Sequence, residues 1–175
     1  MDLSLNMATL PRHGHLTSSF FADVKDLFKK GLLYPLQEQH YLAYLGKKYS
    51  GEERLIEPTY FSRYTDTLFE ELGRVQPDFL FFKDNKYIQN KTTMITLGIP
   101  DLVVEVWSDS NDDIERMFKQ RIYSSSDKCE HWYLEQNSNL VKCYLGKKQL
   151  KDQTLLDFLV TTKGIKFDLR YLALK

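Results

Sequence analysis

The segment at residues 99–107 reads Ile-Pro-Asp-Leu-Val-Val-Glu-Val-Trp and decides the fold of this chain. A proline followed by an apolar, valine-rich run predicts a strand from Asp101 to Trp107, because proline is tolerated at the start of a strand but not in its middle. Side chains alternate between the two faces of a strand, so Asp101 and Glu105 share one face with Trp107. Burying an unpaired carboxylate costs several kcal/mol, so a cation is expected beside Glu105.

A second proline-aspartate pair, Pro77-Asp78, precedes another apolar run, Phe-Leu-Phe-Phe at residues 79–82, which also predicts a strand. If the two strands pair, Asp78, Asp101 and Glu105 can approach one point. Carboxylates at adjacent strand ends form a hard oxygen site of the kind that binds Mg²⁺ or Mn²⁺. Such an ion activates water and neutralises charge on a phosphoryl group, and this chemistry also needs a nearby cation, usually lysine. Taken alone, each aspartate could equally be a solvated residue at a strand entrance.

The order of predicted elements describes a single α/β domain with a mixed central sheet flanked by helices. Residues 1–17 are predicted to form a loose N-terminal arm, residues 18–50 a helical region and residues 54–175 the core. The further predicted elements are helices at 18–31, 35–48 and 112–125, and strands at 54–61, 131–134 and 140–145. The last two strands form a hairpin, and the helix at 112–125 crosses over between strands of the sheet.

Composition and charge limit the functional classes. The chain of 175 residues suits one domain with a sizeable core. Lysine plus arginine and aspartate plus glutamate both total 24, so the formal charge is zero; this disfavours a dedicated nucleic-acid binder but leaves room for a local basic rim. The first residues lack a basic segment followed by an apolar core, and no apolar run is long enough to span a membrane. These features predict a cytoplasmic protein without membrane contacts.

Four pieces of the chain resemble a known superfamily. They are Gln76-Pro-Asp-Phe-Leu-Phe-Phe82, Gly98-Ile-Pro-Asp-Leu-Val-Val-Glu-Val-Trp-Ser108, the predicted helix with Lys119 and Tyr123 four residues apart, and Glu130-His-Trp-Tyr-Leu134. The chain thereby resembles the PD-(D/E)XK nuclease superfamily, and most closely its Uma-two family of restriction endonuclease-like proteins. The N-terminal half shows no comparable match to the family.

This resemblance implies a restriction-endonuclease-like core and the hydrolysis of phosphodiester bonds in DNA with Mg²⁺ or Mn²⁺ as cofactor. Asp78 and Glu105 would be the catalytic acids and, with Asp101 as an additional ligand, would hold the metal. The superfamily carries its lysine on the same strand as the second acid, and this chain does not. Lys119 on the following helix would supply that cation, and Tyr123 would support it by orienting or hydrogen-bonding the lysine.

Several residues also fit other interpretations. Trp107 stands where the superfamily has its lysine, and would pack beneath the site or stack a base. Lys119, with Glu115 four residues before it, could be half of a solvated helical ion pair. Glu38 is a candidate for the helical acid that assists related nucleases. The rival functions are an inactive nuclease-fold module binding nucleic acid or protein, a different metal-dependent hydrolase, and a structural interaction protein. DNA is the expected partner, and a homodimer is left open.

Overall fold

The computed structural model describes the backbone of residues 3–29, 33–37, 41–44, 73–83, 88–90, 95–97 and 99–175, and the side chains of residues 12–25, 75–82 and 99–175. The helices of this part are α1 (Leu3–Lys29), α2 (Asp113–Tyr123) and a short 3-10 helix, Arg170–Leu172. The strands, in chain order, are β1 (Leu33–Gln37), β2 (Tyr41–Tyr44), β3 (Gly73–Val75), β4 (Phe79–Lys83), β5 (Ile88–Asn90), β6 (Ile95–Leu97), β7 (Leu102–Trp107), β8 (Glu130–Glu135), β9 (Leu140–Leu145), β10 (Lys148–Gln149), β11 (Gln153–Thr154), β12 (Leu159–Val160) and β13 (Lys166–Phe167).

A mixed sheet runs through the described part, with strands in the order β1-β4-β7-β8-β9-β10 and with β11 also paired to β9. β7 and β8 are parallel to each other, whereas β4 and β9 pair antiparallel with them. Parallel neighbours need a crossover connection, and α2 provides it between β7 and β8. The predicted fold class, the strands at 79–82 and 101–107, the crossover helix and the hairpin of β8 and β9 are confirmed.

α2 begins and ends at residues that suit those positions. The side chain of Asp112 accepts a hydrogen bond from the backbone N–H of Glu115 at 2.7 Å, which satisfies a donor of the first turn. At the other end, the N–H of Ser124 donates to the carbonyl of Gln120 at 2.9 Å. The cap at Asp112 fixes where α2 begins.

The alternation of side chains in β7 separates two apolar cores. Leu102, Val104 and Val106 belong to the core on the α1 side, together with Leu16, Phe20, Val24, Phe79, Trp132 and Phe167. Val103 and Trp107 belong to the core on the α2 side, together with Leu80, Tyr123 and Tyr133. Glu105 has the same parity as Val103 and Trp107, so the strand turns this acid toward α2.

The first helix is longer than predicted. Residues 1–17 were expected to form a loose arm, but α1 begins at Leu3 and continues through Pro11 and Gly14. The side chains of Leu16, Phe20 and Val24 are fully buried against the sheet. Burial of this apolar stripe outweighs the helix-breaking tendency of an isolated proline and glycine.

The helix predicted at residues 35–48 is wrong where the structure describes it. Residues 35–37 belong to β1 and residues 41–44 form β2, with β1 pairing to β4 and β2 pairing to β3 and β6. Pro35 lies in β1, for which the described sheet has β4 as its neighbour, and an edge strand tolerates proline. The strand predicted at 54–61 lies outside the described residues, and the single-domain division stays a prediction. Within the described residues, no helix combines the length and apolar character needed to cross a membrane.

Candidate active site

Asp78 and Glu105 meet between β4 and β7. The two strands pair antiparallel with Phe79 opposite Val104, so the next step of the register places Asp78 opposite Glu105. The backbone N–H of Val106 donates to Asp78 Oδ2 at 2.7 Å, which ties this acid to the partner strand. The acid that precedes β4 therefore faces the acid near the far end of β7.

Glu105 is a buried carboxylate whose two oxygens both have donors. Its exposed fraction is 1%, and it receives the hydroxyl of Tyr123 at 2.5 Å on Oε1 and the ammonium of Lys119 at 2.9 Å on Oε2. The pKa of Glu105 is raised to about 8, chiefly by burial; the charge of Lys119 opposes this rise, the charge of Asp78 adds to it, and the hydrogen bond from Tyr123 opposes it. A further positive charge close to Glu105 would therefore stabilise its ionised form.

α2 delivers Lys119 to this carboxylate. The ammonium also donates to the carbonyl of Gln76 at 3.2 Å and lies 3.5 Å from the carboxylate of Glu115. Burial alone would lower the pKa of Lys119, but the charge and hydrogen bond of Glu105, with smaller effects of Asp78 and Glu115, raise it. The lysine therefore remains charged. Lys119 thus contacts both Glu115 on the helix and Glu105 on the strand, and its contact with Glu105 is the shorter.

Tyr123 and Trp107 support the site differently from what the sequence suggested. The hydroxyl of Tyr123 donates to Glu105, whereas it was expected to orient Lys119. Trp107 stacks on Tyr133 with ring centroids 5.6 Å apart and an angle of 7° between the rings. The ammonium of Lys119 lies 5.5 Å from the centre of the Trp107 ring. Trp107 is therefore a packed aromatic residue whose ring lies beneath the Lys119 ammonium.

Asp101 lies away from the other two acids. It precedes β7 by one residue, so four residues separate it from Glu105, about 13 Å at a rise of about 3.3 Å per residue. Its carboxylate forms an ion pair with Lys163. Among the described residues, no group of three or more histidine, cysteine, aspartate or glutamate side chains is arranged to hold a metal ion. The structure brings together Asp78, Glu105, Lys119 and Tyr123, and it does not bring Asp101 to them.

His13 is a site residue that the sequence reasoning missed. It lies on α1, and its Nε2 is 3.3 Å from Asp78 Oδ1. His13 stands three and seven residues before Leu16 and Phe20, so it continues the apolar stripe of α1 by one turn toward the site. That spacing is the signal that could have identified it. Glu38, the candidate helical acid, lies outside the described residues.

The chemistry of these side chains fits a divalent ion. Mg²⁺ prefers oxygen ligands and in proteins is held by one or two carboxylates, with waters and substrate phosphates completing its shell. Asp78 and Glu105 supply two carboxylates from neighbouring strands. Because Glu105 is destabilised as an anion by burial, an ion beside it would favour its charged form.

The sheet, its crossover helix and the facing acids define an α/β protein of the restriction-endonuclease-like class. Its structure is similar to the crystal structure of a putative nuclease belonging to DUF820 from Anabaena variabilis ATCC 29413, with a TM-score of 0.60 and 12% sequence identity over 93% of this chain and 82% of the other. The profile of the Uma2 family, described as a putative restriction endonuclease, matches residues 40–169, and the chain belongs to this family. A comparison with curated proteins gave no match. Family membership supports a nuclease-like function.

Proposed function

We propose that this protein is a nuclease that uses Mg²⁺ or Mn²⁺ to hydrolyse phosphodiester bonds in DNA. The observation that carries this proposal is the meeting of Asp78 and Glu105 on adjacent strands, with the Lys119 ammonium 2.9 Å from Glu105. Two acids and one lysine are the groups needed to hold a divalent ion and to stabilise charge on a phosphoryl group.

Each side chain has a distinct role in this proposal. Asp78 and Glu105 would hold the ion, which when bound supplies a Lewis acid and an activated water. Lys119 positions the attacking water and stabilises the negative charge that develops on the phosphoryl oxygens. Tyr123 fixes the orientation of Glu105 through its hydrogen bond to Oε1. His13 does the same for Asp78 by contacting Oδ1, so that α1 completes the support of the pair.

The test is the replacement Glu105→Gln, which keeps the shape of the side chain and removes the charge. We expect cleavage of plasmid and oligonucleotide DNA in Mg²⁺ or Mn²⁺ to fall by at least about 100-fold, since a metal ligand is lost. Asp101→Asn is the matched control, because it removes an acid from the same face beside the same strand while leaving Asp78 and Glu105 in place. We expect this variant to cut at close to the wild-type rate.

A Glu105→Gln protein that cuts as fast as wild type would contradict the proposed site. If Asp101→Asn lost activity while circular dichroism showed an intact fold, Asp101 would instead be a metal ligand. Running DNA, RNA and small phosphoesters side by side with both variants identifies the substrate class.

One observation favours the rival function of an inactive nuclease-fold module. Both oxygens of Glu105 are already occupied by donors within the chain, so Lys119 neutralises the acid without a metal. Calorimetric titration with Mn²⁺ separates the two functions. A nuclease should bind the ion and lose that binding in Glu105→Gln, whereas an inactive module should bind weakly in both forms.

A further inference from the structure

The outer face of α2 is apolar where a surface helix is normally polar. Ile114, Met117 and Phe118 have exposed fractions of 80%, 68% and 40%. Their spacing of three and four residues places them along one stripe, on the opposite side of the helix from Lys119 and Tyr123. Leu140 on β9 is 44% exposed and lies beside this stripe, because it and Met117 line the same cavity of about 370 Å³. Contiguous exposed apolar side chains of this kind mark interaction surfaces.

The two ends of the stripe carry opposite charges. Asp113 is exposed in the first turn of α2, and Arg121 is exposed in the last turn. Neither side chain makes a hydrogen bond or an ion pair within the part of the chain that the structure describes. Two copies of α2 placed antiparallel would bring Arg121 of each next to Asp113 of the other. A parallel arrangement would put like charges together, so the charge pattern selects the antiparallel one.

We propose that this stripe is a homodimer interface, in which α2 of one molecule packs antiparallel against α2 of a second copy around a two-fold axis. A two-fold interface uses the same patch on both molecules, so that patch must be complementary to itself. The stripe meets this requirement. With the axis passing between Met117 and Phe118, Met117 of one molecule faces Phe118 of the second copy. Arg121 of each molecule then lies next to Asp113 of the other.

The dimer leaves both candidate active sites accessible, because Lys119 and Glu105 lie on the opposite side of α2. The interface is small, since the helix has eleven residues and contributes a single stripe. Interfaces at the low end of the size range are weak and reversible, so we expect a dissociation constant in the micromolar range.

Sedimentation velocity of the full chain, from about 1 to 200 µM around this expected constant, tests the proposal. Wild type should shift from monomer to dimer with rising concentration. Met117→Arg, at an exposed position that does not threaten the fold, should remain monomeric. Arg121→Glu and Asp113→Arg should each weaken the dimer at least tenfold, while the double variant should restore it because the charges are exchanged.

Lys128→Glu is the matched control, since it makes the same charge change at an exposed position outside α2 and should dimerise like wild type. A wild type that stays monomeric over the whole range overturns the proposal. A dimer that survives Met117→Arg, or a double variant weaker than either single one, overturns it equally. DNA cleavage is measured on the same samples, so failure of the dimer is distinguished from failure of the nuclease assignment.

Discussion

The ion pair between Lys119 and Glu105 is nearly closed off from water, with side-chain exposed fractions of 12% and 1%. The lysine ammonium occupies Glu105 Oε2, an oxygen that a divalent ion would also use. In the proposed mechanism, lysine and metal would therefore compete for one carboxylate, although the hydrolysis would require both. Because burial raises the pKa of Glu105 to about 8, Lys119 only partly offsets the cost of ionising this acid, and its contact with Oε2 would have to loosen if an ion bound there.

Lys119→Met separates these two effects, because methionine keeps much of the side-chain volume and removes the charge. We expect DNA cleavage to fall by about 100-fold or more, as for other lost charge-stabilising groups. Mn²⁺ affinity, measured by calorimetry without DNA, should rise, because Glu105 would lack its internal cation. Lys128→Met, at an exposed position outside α2, provides the control. Loss of Mn²⁺ binding together with activity would show that Lys119 maintains the fold of the site and does not compete with the ion.

The sequence identified Asp78, Glu105 and Lys119 correctly as neighbours but could not locate Asp101. Both aspartates precede strands, and the entrances of two adjacent strands meet only if the strands are parallel. β4 and β7 are antiparallel, so their entrances lie at opposite ends of the pair and the later Glu105 meets Asp78. Strand direction is not encoded in the local pattern.

β8 carries a buried histidine, His131, whose ring nitrogens are both engaged. His131 is 1% exposed, and its ring nitrogens contact Tyr133 Oη at 2.7 Å and the carbonyl of Gly146 at 2.8 Å. The contact with Gly146 requires a proton on Nε2, so in the neutral ring Nδ1 accepts from the tyrosine. Burial lowers the pKa of His131 from 6.5 to about 4, against the opposing effect of the Gly146 carbonyl.

We expect His131 to contribute an acid-sensitive part of the stability. Between pH 6.5 and 4 this residue binds a proton in the unfolded chain but not in the folded chain, so its contribution to the free energy of unfolding falls as pH falls through this window. From pH 7 to pH 5 this contribution should fall by about 2 kcal/mol. The raised pKa of Glu105 acts in the opposite direction in both proteins, so the prediction concerns their difference: in urea unfolding, wild type should lose about 2 kcal/mol relative to His131→Gln between pH 7 and pH 5. An equal pH dependence in both proteins would contradict the assignment.

Among the elements, those with strong local signals were predictable and those fixed by distant partners were not. The valine run of β7, the cap at Asp112 and the turn between β8 and β9 are encoded locally. At residues 33–37 and 41–44 the leucines and tyrosines suit either a helix or a strand, and pairing with β4, β3 and β6 decides in favour of strands. In α1, Pro11 and Gly14 disfavour a helix, which the packing of its apolar residues nevertheless stabilises.

α1 packs against segments that lie far apart in the sequence. Phe20 lies 5.6 Å from Phe79, 6.4 Å from Trp132 and 5.1 Å from Phe167, measured between ring centres. The same helix carries His13 to Asp78. Loss of packing at Phe20 should therefore affect both the stability of the fold and the geometry of the site.

We expect Phe20→Ala to lower the free energy of unfolding by about 3–5 kcal/mol, because it opens a cavity among aromatic rings. Leu156→Ala is the control, since Leu156 is 61% exposed and its truncation should change stability by less than about 0.5 kcal/mol. Chemical denaturation measures both. If Phe20→Ala were as stable as its control, α1 would not be a part of the core.

The guanidinium of Arg12 donates to the carbonyl of Leu172, a residue 160 positions further along the chain. During translation at roughly 5–20 residues per second, the first helix is therefore synthesised on the order of ten seconds or more before its final partners emerge from the ribosome. Its apolar stripe gains its native cover in stages, since Phe79 and Trp132 are synthesised before Phe167. The contacts of α1 with the latest of these segments therefore form after those that join Asp78, Glu105 and Lys119, whose residues all precede position 124.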